Sequence, residues 1–208
     1  AKAYYHKGYA MNSIGFKKEA DECFKKALEL NPNDFHSMYY RGLYLTGIGM
    51  RTDAINIYDK IIQLSPKYFR AYIQKGVNLG FLGNFKEASK CFAKAIEICP
   101  TNALAHYNQG LALLNLGYPE EAIQSFDKVI QLNPRDPDTY LNKGAALSAL
   151  GRLKEAAMTY EIACQLDPQN PAIYRSLARV LQVLGYGEEA LENIDKAIEL
   201  RPNDSQVY

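Results

Sequence analysis

The chain has 208 residues, and its 24 Lys and Arg against 23 Asp and Glu leave a net charge of +1, so no charge excess marks a nucleic acid or an anionic membrane as the default partner. No apolar run approaches the roughly 18 residues of a membrane span, and no charged stretch followed by an apolar one opens the chain, so a cytoplasmic protein is expected. Hydrophobic residues make up 48%, enough for a buried core, and Cys23, Cys91, Cys99 and Cys164 form no C-x-x-C pair and read as small apolar fillers.

The first 34 residues carry Gly8, Gly15, Ala20, Phe24, Ala27 and Pro32, and these marks return along the chain with a fixed step. Proline stands at 32, 66, 100, 134, 168 and 202, glycine at 15, 49, 83, 117, 151 and 185, and alanine at 20, 54, 88, 122, 156 and 190. A period of this length that never slips predicts a stacked array of like units. In chain order they are 1–34, 35–68, 69–102, 103–136, 137–170 and 171–204, with 205–208 expected to begin a truncated seventh repeat or a capping helix.

Each unit predicts two helices, parted by the glycine at its fifteenth position and closed by the proline at its thirty-second, which cannot continue a helix. In the third unit Asn84 and Glu87 have the spacing of a capping box, and Cys91 and Cys99 fall on one helix about 12 Å apart, too far for a disulfide. In the fourth, Leu104, Tyr107, Leu111 and Leu114 form one helical stripe and Ala122, Phe126 and Val129 another. Pro119, Pro137 and Pro171 suit the first turns of helices, where a missing N–H costs nothing. Glycine also holds the eighth position at 8, 42, 76, 110 and 144, and only Ala178 of the sixth unit departs. Helical glycine costs about 0.5–1 kcal/mol relative to alanine, so a close contact must justify it. The expected contact is with the alanine at position 20, the large residue at position 24 filling the space beside it.

These residues resemble the tetratricopeptide repeat (TPR) family, whose 34-residue pattern asks for a large aromatic at position 4, Leu-Gly at 7–8, a large residue at 11, Ala at 20, an aromatic at 24, Ala at 27 and Pro at 32. Tyr4, Gly8, Met11, Ala20, Phe24, Ala27 and Pro32 of the first unit answer it, and the likeness covers residues 1–204. Position 4 holds Tyr4, Met38, Tyr72, His106, Tyr140 and Tyr174 and never Trp, so several phenol hydroxyls must reach water or a partner. Position 7 holds Lys7, Arg41, Lys75, Gln109 and Lys143, with Leu177 alone in the family's style; long stems are expected to cover apolar surface while their heads stay wet. The resemblance implies an all-α fold, an α-solenoid in which antiparallel helix pairs build a right-handed superhelix, with a concave wall of first helices that holds an extended peptide or a partner helix.

Carried onto this sequence, the family's groove positions imply a partner-binding set of Tyr5, Tyr9, Tyr39, Leu43, Arg70, Ile73, Val77, Tyr107, Asn108, Leu111, Asn142, Arg175 and Arg179. Apolar side chains of a ligand suit the aromatic and aliphatic start of this row; an acidic or chain-terminal carboxylate suits Arg175 and Arg179 near its end, and Asn108 and Asn142 suit a peptide main chain. The small residues Gly47, Gly80, Ser148 and Ala149 leave room for a ligand backbone. The chaperone-tail clamp of one TPR subclass needs Lys at 5 and Asn at 9, and neither the first unit (Tyr5, Tyr9) nor the third (Ile73, Val77) supplies them.

No nucleophile, base and orienting group come together in the sequence, so no enzyme is expected. Gly47-x-Gly49 and Gly185-x-Gly187 belong to turns between helices rather than to a phosphate loop, and His6 and His36 lack further ligands, so neither cofactor nor metal is expected. The partner is expected to be a protein or peptide, with no nucleic acid and no membrane. The competing reading makes the segment the substrate-recruiting or regulatory arm of a larger multidomain enzyme. An uncapped last repeat implies self-association through Ile194, Ile198 and Leu200.

Overall fold

The computed structural model describes residues 1–201, and among them lie twelve α-helices and no strand. The helices are α1 (Lys2–Ser13), α2 (Lys17–Leu30), α3 (Phe35–Gly47), α4 (Arg51–Leu64), α5 (Phe69–Phe81), α6 (Phe85–Ile98), α7 (Ala103–Asn115), α8 (Pro119–Leu132), α9 (Pro137–Ala149), α10 (Leu153–Leu166), α11 (Pro171–Leu184) and α12 (Gly187–Leu200). The expected opening of a seventh repeat at 205–208 lies outside the described residues. Two compact units follow the chain, 1–105 and 106 onward, each a run of α-solenoid. In the first, each helix from α1 to α5 packs on its successor, and the first helices α1, α3 and α5 also touch their like; in the second, each from α8 to α11 packs on its successor, with α9 against α11.

The turn inside each hairpin comes from a three-residue device. Gly15, Gly49, Gly83, Gly117, Gly151 and Gly185 all have φ between 71 and 91°, the left-handed region that a Cβ disfavours. With glycine there, the next backbone N–H reaches the carbonyl five residues back, as Phe16 does to Met11 and Tyr186 to Leu181, at 2.9–3.0 Å in all six turns. That same residue opens the second helix: its carbonyl accepts from the alanine at position 20, again in all six, at 3.0–3.1 Å. The backbone supplies the cap, and the side chain is dispensable. The capping box expected at Asn84 and Glu87 is accordingly absent, since Asn84 makes no side-chain cap bond. Pro119, Pro137 and Pro171 do open their helices, and at Asn170 the side chain accepts from the Ala172 N–H.

Between hairpins, a phenol does the joining. The hydroxyls of Tyr72, Tyr140 and Tyr174 donate to the carbonyls of Pro66, Pro134 and Pro168 at 3.2, 3.1 and 3.3 Å. Tyrosine in the family's aromatic position thus ties the first turn of one hairpin to the end of the one before, which is where those hydroxyls find a partner.

The glycine at position 8 is explained differently from expectation. A Cβ added at Gly8, Gly42, Gly76, Gly110 or Gly144 would come within 2.5–2.8 Å of the ring at position 24, namely Phe24, Tyr58, Phe92, Phe126 or Tyr160. The glycine makes room for a ring, which stands nearer to it than the alanine at position 20. In the sixth hairpin the two positions change together, to Ala178 and Ile194. Without a ring above it, alanine is admitted.

Three of the four cations at position 7, Arg41, Lys75 and Lys143, do not simply extend into water. Lys75 pairs with Asp59 and Lys143 with Asp127 at 2.6 Å, each reaching back to the second helix of the preceding hairpin. Arg41 instead approaches Asp21 at 3.6 Å, a carboxylate 2% exposed that Lys25 also holds at 3.0 Å. Burial of that carboxylate is tolerable because two cations surround it. Leu177, the family-like residue at this position, is buried.

Candidate functional site

The first helices of the leading unit bring the expected residues into an aromatic field. Tyr5 on α1 has Tyr9, Phe24, His36 and Tyr40 with ring centres 5.9–6.4 Å away, and Tyr9 meets Tyr40 edge-on at 5.4 Å. Tyr39 on α3 stands edge-on to Tyr40, Tyr58 and Tyr68. Phe24 and Tyr40 stack at 5.4 Å, so the field is anchored on the hairpin core through the position-24 ring. Burial pushes the Tyr5 and Tyr39 phenols above their ordinary range, with the Asp34 carboxylate adding to the effect at Tyr5. These phenols are therefore neutral hydrogen-bonding groups. Tyr9 is 47% exposed and presents the open face of the cluster.

Leu43 and Val77 are half-buried along the same helices and Arg70 is exposed at the start of α5. Ile73 is a correction. At 3% exposure it is part of the packing between helices and not of an accessible face. Tyr40 and Tyr68 belong to the field although the expected set omits them; both have aromatic neighbours within the set, but Tyr68 precedes α5 in the connecting turn, off the helical stripe that the expectation followed.

In the second unit the elements are more polar. Tyr107 on α7 faces Phe126 at 6.1 Å, and Asn142 on α9 donates from Nδ2 to the Tyr107 hydroxyl at 3.0 Å and to the Asp138 carbonyl at 2.8 Å. The amide N–H groups of Asn142 are thus already engaged, which removes them as donors to a peptide main chain. Burial is the main cause holding the Tyr107 phenol up, with Asp138 and Asp136 behind it. Asn108 and Leu111 are half-buried on α7. Arg175 and Arg179 lie one turn apart on α11, Arg179 exposed and Arg175 half-buried. Beneath them the Tyr160 phenol is pushed up by burial and partly relieved by the hydrogen-bonding side chains of Ser148, Ser176 and Arg179.

Among the described residues no three His, Cys, Asp or Glu side chains gather as metal ligands. His6 and His36 both lie against the Tyr5 ring, at 5.2 and 5.9 Å. The cysteines are free thiols, with Cys164 pushed up to about 11 by burial, far from a reactive thiolate. No helix among the described residues is long and apolar enough to cross a membrane.

Family profiles described as tetratricopeptide or TPR repeat match residues 1–34, 82–117 and 107–171. No curated protein sequence matches the chain significantly. Among solved structures, the chain is similar to YrrB, described as a TPR protein with an unusual peptide-binding site, at 26% identity over 90% of this chain and 96% of that one, with a TM-score of 0.76. It is similar in fold to PilF of Pseudomonas aeruginosa, at 21% identity over 99% of this chain and 94% of that one, TM-score 0.84. MamA of Desulfovibrio magneticus RS-1, from residue 41 to its end, shares the fold at 22% identity over 83% of this chain and 98% of that one, TM-score 0.77.

Proposed function

Because the chain belongs to the tetratricopeptide repeat family, a family of protein-interaction scaffolds, we propose that it holds an extended peptide or a partner helix against its first helices, without catalysis of its own. The observation that carries this reading is the tyrosine field of the first unit, rings fixed by one another and by the hairpin core, with Tyr9 left 47% exposed. Rigid amphipathic rings offer contact area at small entropic cost, and their neutral hydroxyls can bond a main chain. The peptide-binding site described for YrrB supports the same reading at 26% identity. A cytoplasmic setting goes with it, resting on four unpaired cysteines. The test is a peptide-library selection on the whole chain, repeated with Tyr39→Ala and Arg175→Glu at unchanged helical content. Each substitution should lose a distinct part of the recovered set; recovery of identical ligands by all three proteins would refute the reading.

A further inference from the structure

Position 16 of each hairpin carries a side chain that the turn does not need, since the backbone there supplies both cap bonds. So exposed a place suits a polar group, as at Asn84 and Arg152, yet the first two hairpins carry Phe16 and Met50. The neighbouring turn positions extend the same character. Ile14, Ile48, Phe81 and Leu82 are also exposed, Ile14 by 70% and Phe81 by 69%, so the hairpin apexes of the unit 1–105 display a run of large apolar side chains. The Arg51 guanidinium lies over the Phe81 ring at 4.0 Å and carries this surface from the second apex to the third. A continuous exposed apolar surface marks contact with another molecule.

The second unit has the same turns with a different chemistry. Tyr118, Val183 and Tyr186 are exposed at its apexes, while Leu116, Leu150 and Leu184, the counterparts of Ile14, Ile48 and Leu82, are half-buried. Charge differs as well. Between positions 13 and 19, the three hairpins of the first unit hold four cations, Lys17, Lys18, Arg51 and Lys86, against the three acids Glu19, Asp53 and Glu87. The same stretch of the last three hairpins holds five acids, among them Glu120, Glu121, Glu188 and Glu189, against two cations, and one of those, Arg152, is already paired with Glu155 at 2.7 Å.

We propose that the apolar, cation-bearing hairpin apexes of the first unit are an interface for a second copy of this chain, which docks there by the acidic, tyrosine-bearing apexes of its second unit. The occupant follows from charge. Two like edges would set Lys17 and Lys18 against their own kind, whereas unlike edges set them against carboxylates. Phe16 and Met50 then leave water against Tyr118 and Tyr186, whose rings join an apolar face to a polar tip. The contact is heterologous, one surface meeting a different one, and it employs the turns rather than the first-helix face, so it stands or falls apart from peptide binding.

Multi-angle light scattering on the full chain, from about 10 μM to about 1 mM, should show a mass rising above the 23.4 kDa of one chain, with a smaller rise at high sodium chloride. Phe16→Asn with Met50→Asn, which gives both apexes the residue that the third hairpin already uses, should hold the mass at one chain with helical content unchanged. Lys17→Glu with Lys18→Glu should do the same, as should Glu188→Lys with Glu189→Lys in a separate protein. Mixed in equal amounts, these two reversed proteins should associate again, because each then offers the other an edge of opposite charge. A single-chain mass at every concentration, association that survives Phe16→Asn with Met50→Asn, or a mixture of reversed proteins that stays apart overturns the inference. So does a single chain that binds vesicles of phosphatidylcholine and phosphatidylserine and loses them on Phe16→Asn with Met50→Asn, which assigns the edge to a lipid surface instead.

Discussion

The fifth and sixth hairpins solve one packing problem in two ways. In the fifth, Gly144 leaves space for the Tyr160 ring, and a Cβ there would come within 2.5 Å of it. In the sixth, Ala178 faces no ring, and Ile194 at the equivalent place is half-buried. The difference teaches that glycine and ring form a single element of sequence, each making sense only in the presence of the other.

The largest break in this comparison comes from removing the ring itself. Tyr160→Ala should cost about 3–5 kcal/mol in urea unfolding, because a fully buried aromatic leaves a cavity, whereas Ile194→Ala should cost roughly half as much. Next comes the glycine: Gly144→Ala should destabilise by about 1–3 kcal/mol despite the better helix propensity of alanine. Converting the fifth hairpin into the sixth with Gly144→Ala plus Tyr160→Ile should recover part of that loss, with a coupling of at least about 1 kcal/mol in a double-mutant cycle. Simple additivity would mean that the pair is not one element. A smaller effect is expected at position 7, where Lys143→Leu copies Leu177 of the sixth hairpin: stability should shift by no more than about 1 kcal/mol, and the salt dependence attributable to the Asp127 pair should disappear. Smallest is Tyr140→Phe, which removes a partly exposed hydrogen bond to the Pro134 carbonyl and should lower stability by about 0.5 kcal/mol, whereas the same exchange at Tyr186, which makes no such bond to a proline carbonyl, should be silent.

The fold was legible because the marks that punctuate it act locally. Glycine at position 15 and proline at 32 decide backbone geometry wherever they stand, so their phase alone predicts turns and helix ends. Contacts between helices are another matter. Gly8, Ala20 and Phe24 recur with the same period, and periodicity cannot say which of them touch; only the joint departure at Ala178 and Ile194 discriminates. The ion pairs were present as Asp59 with Lys75 and Asp127 with Lys143, sixteen residues apart in both cases, yet a single residue at position 7 reads as a wet head until the neighbouring hairpin is in place. The candidate site was legible as a row and not as a surface. Ile73 and Tyr39 share one repeat position, but the isoleucine is buried while the tyrosine stays partly open, because a short branched side chain remains within the helix interface and a long ring extends beyond it.

One consequence remains in the residue that follows each left-handed glycine, which terminates one helix with its N–H and initiates the next with its carbonyl. A single amino acid in that double role leaves the bend no slack: an inserted residue would part both hydrogen bonds at once. Length variation is thereby steered away from the hairpin apex, and the chain can be extended without damage only in whole quanta, by the addition of complete helix pairs.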